Sequence, residues 1–363
     1  MTHSVIDDNT AKNHAAAALA NAGVSARLAG TPLLDYTDAD GLRPWRLSVA
    51  PMIDVTDRHC RYFHRLLAPN ALLYTEMITT GALIFGDVAR HLSFSGQEHP
   101  VALQLGGSEP AALAHCARLG QSWGYDEINL NCGCPSERVQ KGAFGACLMA
   151  EPALVADCVK AMQDAVTVPV TVKHRLGLDY EESYSFVRDF VGHLYDAGCR
   201  VFIAHARNAV LKGLSPKDNR EIPPLRYDVV TQLKRDFSDA LFVLNGGLNT
   251  TELISQAATM FDGAMVGRAA WHEPYVLRQS SQQLWPDTPV NDDAAIVEQM
   301  ARYAKSQLAH DVPLRVVVKP MLGLFNGRKG ARQWRRHLSD PVQLSRQDPA
   351  VLLEAFAFVD SRR

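Results

Sequence analysis

Short apolar runs of strand length recur along the chain, each closed by a polar or glycine-rich stop and followed by helical spacing. In order they are "RLSVAPM", "ALLYTEMI", "PVALQLGGS", "EINLNCGCP", "VPVTVKHRLG", "RVFIAHARN", "LFVLNGGLN" and "GAMVGRAA". Aliphatic and β-branched residues bounded by turn formers predict a strand for each. Most intervals fit one strand–helix unit, and those after the fourth and sixth runs are longer. The helix after the third run illustrates the form, with Ser108 expected as N-cap and Pro110 in the first turn. Leu113, Cys116, Ala117 and Gly120 then fall on one face, which puts Cys116 in the core. Eight such units predict an α/β fold, a (β/α)8 TIM barrel rather than an open doubly wound sheet. From about Asp292 the alternation stops and the pattern turns helical, with the break at "WPDTPVNDD". The expected organisation is a disordered N-terminal extension over 1–40, a barrel over 41–288 and a helical domain over 289–363.

The 363 residues suffice for one large core or two modest ones. No run of eighteen apolar residues occurs, so no membrane span is expected. The N-terminal "AKNHAAAALANAG" follows Asp7 and Asp8 rather than the basic start of a signal peptide. Seven scattered cysteines point to free thiols in a reducing, cytoplasmic setting. A net charge of −2 conceals an asymmetry: Arg302 to Arg336 holds nine Lys/Arg and one acid, Asp311. That segment is either a solvated helix face or the contact for a polyanion.

Gln104, Asn131, Lys173, His205, Asn245 and Arg268 each stand where a run finishes, the end at which such barrels gather their active sites. Gly246 and Gly247 after the seventh run, with Gly267 and Arg268 after the eighth, suit a bound phosphate. Lys173 could face the anionic side of a reduced flavin, form a Schiff base or make a structural salt bridge. His205 could bind phosphate or simply pack. Cys132 and Cys134 lack metal-ligand spacing and have no matching pair downstream, so no metal is expected. A dithiol redox pair normally separates its sulfurs by two residues. A single working thiol is left, Cys134, in a loop fixed by Gly133 and Pro135, with Cys132 as a bystander.

The motifs "APMIDVTDRHCRYFHRLL", "YTEMITTGALIFGD", "EINLNCGCPSERVQKGAFGACLM", "VKHRLGLD", "AHARNAVLKGLSPKDNREIPPLRYD", "LNGGL" and "VGRAA" together resemble the tRNA-dihydrouridine synthases, A subgroup, from about Trp45 to Leu338. The resemblance implies an FMN-bearing barrel with a helical tRNA-binding domain, and NADPH as the reductant. It implies reduction of uridines 20 and 20a of the tRNA D-loop to dihydrouridine. It would place FMN on Pro51, Met52, Ile53, Gln104, Lys173, His205, Asn245, Gly246, Gly247, Gly267 and Arg268. Cys134 matches the family's proton donor and Asn131 a contact to the RNA substrate. Lys217, Arg220, Arg332 and Arg335 match subgroup tRNA contacts.

The chemistry suits these types. Hydride from reduced flavin at carbon 6 of uracil leaves an enolate-like anion that needs a proton at carbon 5. A thiol of reference pKa ~8.5 stays largely protonated at neutral pH, so it can donate. Arg175, two residues past Lys173, could hold the uracil carbonyl, contact the FMN phosphate or stand as a strand-end surface arginine; substrate contact is the expectation. A monomer is expected. The competing readings are a flavin-dependent oxidoreductase of free pyrimidines, which would need no basic helical domain, and an RNA-binding protein with a vestigial site.

Overall fold

A computed structural model describes residues 44–359; the expected extension over 1–40 lies outside them. Eight parallel strands close into a barrel in sequence order. They are β1 (Leu47–Val49), β2 (Leu72–Thr79), β3 (Val101–Gly106), β4 (Glu127–Cys132), β5 (Val170–His174), β6 (Val201–His205), β7 (Leu241–Asn245) and β8 (Gly263–Val266). Seven lie wholly within the predicted runs, and β2 passes the end of its own by one residue, Thr79. The reason is that parallel strands covered on both faces must be apolar nearly throughout. β3, β4, β6, β7 and β8 are buried at every position.

The chain divides into two compact units, Met77–Phe242 and Pro44–Glu76 with Val243–Arg363. In the first, β3 to β6 pair consecutively, with Gln104 opposite Asn129, Asn131 opposite Lys173, and Lys173 opposite Ile203. Helices Pro110–Ser122, Pro152–Gln163 and Tyr184–Asp196 pack side by side over them. Leu113, Cys116, Ala117 and Gly120 are all buried, as their spacing predicts. The N-cap of the first of these helices is Glu109 rather than Ser108. Its carboxylate accepts from Ala111 N (3.0 Å) and Ala112 N (2.6 Å). A longer side chain one residue later reaches the same orphan donors.

In the second unit β1 pairs with β2 and β8, and β7 with β8. Helix Asp293–Leu308 packs on helices Arg58–Leu67 and Ala350–Phe356, and Ala331–Ser339 packs on Ala350–Phe356. This region is helical from Asp293 onward, as its pattern predicts. Trp334 is fully buried, its ring edge-on to Phe325 at 4.8 Å and its Nε1–H donating to Met321 O at 3.0 Å. The indole thus fills core volume without leaving its polar atom unpaired. Among the described residues, no helix is long and apolar enough to cross a membrane.

Candidate active site

Within the first unit, β4 carries Glu127, Asn129 and Asn131 at alternate positions, so all three project to one face of the strand. They anchor a continuous hydrogen-bond relay. Thr171 Oγ1 donates to Glu127 Oε1 (2.5 Å) and Asn129 Nδ2 donates to Thr171 Oγ1 (2.8 Å). Gln104 Nε2 donates to Asn129 Oδ1 (2.7 Å), and Asn131 Nδ2 donates to Gln104 Oε1 (2.8 Å). The buried Glu127 carboxylate polarises every donor in one direction, so each amide has a single orientation. At the far end Asn131 Oδ1 accepts from the backbone N–H of Gly133 (3.1 Å) and Cys134 (3.0 Å).

The Cys134 loop is therefore held by a side chain from the strand that precedes it. Its carbonyl also accepts from Ala146 N at 2.9 Å. Gly145, at φ +77°, makes that approach possible, since a Cβ there would lie 2.6 Å from Cys134 O. The Cys134 thiol is half-buried, 3.5 Å from Ser136 Oγ. Cys132 is fully buried, and burial pushes its thiol well above the ordinary range.

Cations crowd the ends of β5 and β6. Arg175 is 3% exposed and rivets three segments, with Nε on Gly133 O (3.2 Å) and Nη1 on Asn208 O (3.1 Å) and Asn219 O (2.9 Å). Burial pushes it down to about 10, and the neighbouring Arg220 and Arg207 push the same way. Lys173 is half-buried; burial, then Arg175, lower it to about 7. His205 is driven well below its usual range by burial and then by Arg175, Lys173, Arg207 and Arg220, so it is a neutral imidazole. The charges named as acting on it are all cations. Such a group favours an anion. Arg220 is half-buried and Lys217 exposed, in a loop organised by buried Asn219, which exchanges hydrogen bonds with Val210 N (2.7 Å) and O (2.8 Å).

In the second unit, Pro51, Met52 and Ile53 follow β1. Thr56 closes the turn, its Oγ1 accepting from Met52 N (3.0 Å) and its N–H donating to Met52 O (3.0 Å). The next residue, Asp54, sits at φ +60° with its peptide clamped on both sides. Its N–H donates to Glu76 Oε1 (2.5 Å), and its carbonyl accepts from Lys319 Nζ (3.1 Å). Lys319 also lies 5.5 Å from the centre of the Trp271 ring. Asn245 Nδ2 donates to Met265 O at 2.8 Å, and Gly246 and Gly247 follow at φ +110° and +72°. At Gly267 a Cβ would meet nothing within 4 Å, so the backbone there is open to a ligand. Arg268 is exposed. Arg332 and Arg335 are exposed on helix Ala331–Ser339, where Arg335 Nη1 donates to Asn326 Oδ1.

The structure thus brings Gln104, Asn131, Cys134, Lys173, Arg175, His205 and Arg220 into one connected group, with Lys217 on its rim. Sequence reasoning missed Arg207, the Glu127–Thr171–Asn129 relay and the Glu76–Asp54–Lys319 clamp. The polar alternation in "EINLN" was a usable signal for the relay. Among the described residues, no group of three or more His, Cys, Asp or Glu could hold a metal ion.

The dihydrouridine synthase family profile matches residues 48–360. A tRNA-dihydrouridine(20/20a) synthase of Pseudomonas putida is 54% identical over 318 residues, covering 87% of this chain and 95% of that protein. The protein of that name from Salmonella typhi is 52% identical over 329 residues, 90% of this chain and 99% of its own. Among solved structures, a 2-naphthoyl-CoA reductase complex superposes with a TM-score of 0.51 at 12% identity. The match covers 68% of this chain and about half, 51%, of that one, and shows the fold alone.

Proposed function

The chain belongs to the dihydrouridine synthase family, and from that premise we propose that it reduces uridine to 5,6-dihydrouridine at positions 20 and 20a of tRNA. FMN would be its cofactor and NADPH the reductant. The residues present fit such a group. Crowded cations around a neutral His205 favour an anionic ring edge, and the open backbone at Gly267 with the Gly246–Gly247 turn suits a phosphate. Gln104, Lys173, His205, Asn245, Arg268 and the Pro51–Ile53 turn would complete its binding. When bound and reduced, FMN supplies hydride to carbon 6 of the uracil ring.

The protein's own work is then to hold the base and deliver a proton. Cys134 Sγ–H donates to carbon 5, and the anion left by hydride addition is quenched as the S–H bond breaks. Asn131 holds the Cys134 loop and would also meet the RNA. Arg175 rivets that loop through Gly133 O, and in our reading its guanidinium also meets the substrate. Lys173 as an ammonium stabilises negative charge beside it. A uridine in a tRNA loop must leave its stack to reach such a site, at a cost of a few kcal/mol. Lys217, Arg220, Arg332 and Arg335 would offset that cost through phosphate contacts.

The observation that carries this reading is the half-buried Cys134 thiol on a loop pinned by Asn131, beside Lys173 and Arg175. Cys134→Ala should retain flavin and be reduced by NADPH, yet form dihydrouridine roughly two to four orders of magnitude more slowly. Full product yield from that variant would remove Cys134 from the mechanism.

A further inference from the structure

The relay that runs from Glu127 to the Cys134 loop has ends of opposite kind. The Glu127 carboxylate can only accept, while the backbone N–H groups of Gly133 and Cys134 can only donate. Between them lie the Thr171 hydroxyl and the amides of Asn129, Gln104 and Asn131, each able by itself to face either way. Glu127, Thr171, Asn129 and Gln104 are all buried, so no solvent is at hand to patch a mismatch. Each link needs one donor and one acceptor, and the two ends together force a single polarity on all of them. Inverting Asn131 would set its amino group against both backbone donors. Inverting the links before it would leave Thr171 presenting a lone pair to Glu127. The consequence falls on the last amide. Asn131 Oδ1 has both lone pairs taken, by Gly133 N and Cys134 N, and one N–H of Nδ2 is taken by Gln104 Oε1. A single N–H remains. Asn131, at 8% exposed, is also the most accessible member of the relay. Toward a substrate it can donate and cannot accept.

That polarity suits one class of base. Hydride arriving at carbon 6 of uracil moves the C5–C6 π pair onto carbon 5 and, by conjugation, onto the oxygen at carbon 4. The proton from Cys134 then bonds to carbon 5 and discharges both. An N–H aimed at that oxygen meets growing negative charge, so it stabilises the transition state more than the ground state. Cytosine carries an amino donor at the same carbon, and a donor-only amide leaves that group unpaired. Carbons 4 and 5 adjoin in the ring, as the two ends of one amide adjoin. The Asn131 oxygen holds the Cys134 backbone, and its nitrogen is left for the neighbouring carbonyl. We propose that Glu127 is a positioning residue for base selection. By ending the relay on an acceptor it keeps that Asn131 N–H turned to the substrate, so the site takes a pyrimidine with a carbonyl rather than an amino group at carbon 4. Glu127 touches no substrate and acts through Thr171, Asn129 and Gln104. The inference rests on the uridine-reducing reading above.

The test pairs Glu127→Met with Glu127→Gln, and Thr171→Val with Thr171→Ser. Methionine offers no comparable acceptor, so Thr171 O–H turns to Asn129 and draws the amides toward the inverted order. Glutamine still accepts through its oxygen. Valine cuts the relay one link further on, and serine restores the hydroxyl. In steady-state dihydrouridine formation on unmodified tRNA, the Met and Val variants should lose roughly 10- to 100-fold in kcat, the range for a hydrogen bond to a group gaining charge. KM for tRNA, flavin content and the rate of flavin reduction by NADPH should stay near wild type. The Gln and Ser variants should recover most of the lost kcat. A second substrate carries 4-thiouridine at the target position, where sulfur is the weaker acceptor. The ratio of kcat on uridine to kcat on 4-thiouridine should be lower in the Met and Val variants than in wild type. Wild-type kcat in both of those variants would overturn the inference and leave the uridine reading intact. So would an unchanged ratio, or loss of flavin and of its reduction in step with kcat, since either means that Glu127 only supports the barrel. A wild-type protein that forms no dihydrouridine in any tRNA would overturn the uridine reading, and this inference with it.

Discussion

If Lys173 meets the flavin as proposed, its depressed pKa should make binding of the reduced cofactor a proton-uptake reaction. Its pKa falls from 10.5 to about 7 in the free site, through burial and then the Arg175 charge. Between those values the unfolded chain holds one proton more than the folded one, so the unliganded fold gains stability as pH rises from 7 toward 10.5. Below pH 7 the charging penalty is present in full. The anionic ring edge of a reduced flavin beside the amine favours the ammonium and reverses the shift. At pH 8 the free lysine is about one-tenth protonated, so binding should take up close to one proton per reduced FMN. Above pH 7 affinity should fall by up to about tenfold per pH unit. The FMN phosphate adds little at pH 8, since such groups titrate near ~6. Anaerobic calorimetric titration of apoprotein with reduced FMN in buffers of different ionisation enthalpy measures the uptake directly. Lys173→Met should abolish it. Uptake near zero in the wild type, or equal uptake in the variant, would refute the assignment of Lys173 to the flavin.

Replacing Lys217, Arg220, Arg332 and Arg335 together with glutamine should weaken tRNA binding. It should also flatten the slope of log K against log salt by roughly 3, at about 0.7 per lost single-strand phosphate contact; unchanged affinity across a salt series contradicts the assignment. Lys319→Met leaves the Asp54 carbonyl without its ammonium donor while the backbone remains at φ +60°. FMN release, followed by flavin fluorescence, should quicken about fivefold, as for ~1 kcal/mol from a partly solvated charged hydrogen bond. Asp54→Gly added to it should recover most of the loss, because glycine adopts that φ without strain. An unaltered release rate would separate the clamp from cofactor binding.

The barrel was legible because its strands are buried on both faces and therefore stand out as apolar runs between turn formers. Helix ends were less legible. Ser108 and Glu109 both suit an N-cap, and only the backbone decides which one reaches Ala111 and Ala112. Gln104, Lys173 and His205 were visible because a polar residue ending an apolar strand has no reason to be there for packing. The relay was not, since its links join β3, β4 and β5, up to 44 residues apart in the chain. Local pattern contains no information about which strands will become neighbours. Arg207 escaped notice for a related reason. In "HARN" it looks like a loop arginine, and only the folded chain shows it adding to the charge at His205.

Arg175 shows where residue type alone misdirects. An arginine at a strand end near a proposed anion site suggests a ligand contact, but two of its three nitrogens already serve three backbone carbonyls, one from the loop after β4 and two from the loop after β6. A guanidinium with donors spread over a planar fork is suited to hold three carbonyls at once, and it cannot discharge at neutral pH. That makes it a fixture of the Cys134 loop, beside the substrate contact proposed for it. The two roles are compatible, because a proton donor to one face of a ring must be stiff. Displacing it by an ångström can cost about a hundredfold in rate. Asn131 restrains the Cys134 loop from its strand, Arg175 from the opposite loops, and the Gly145–Ala146 backbone from behind. Three independent restraints on one half-exposed thiol exceed what packing of a loop requires, and they are what a fixed general acid needs.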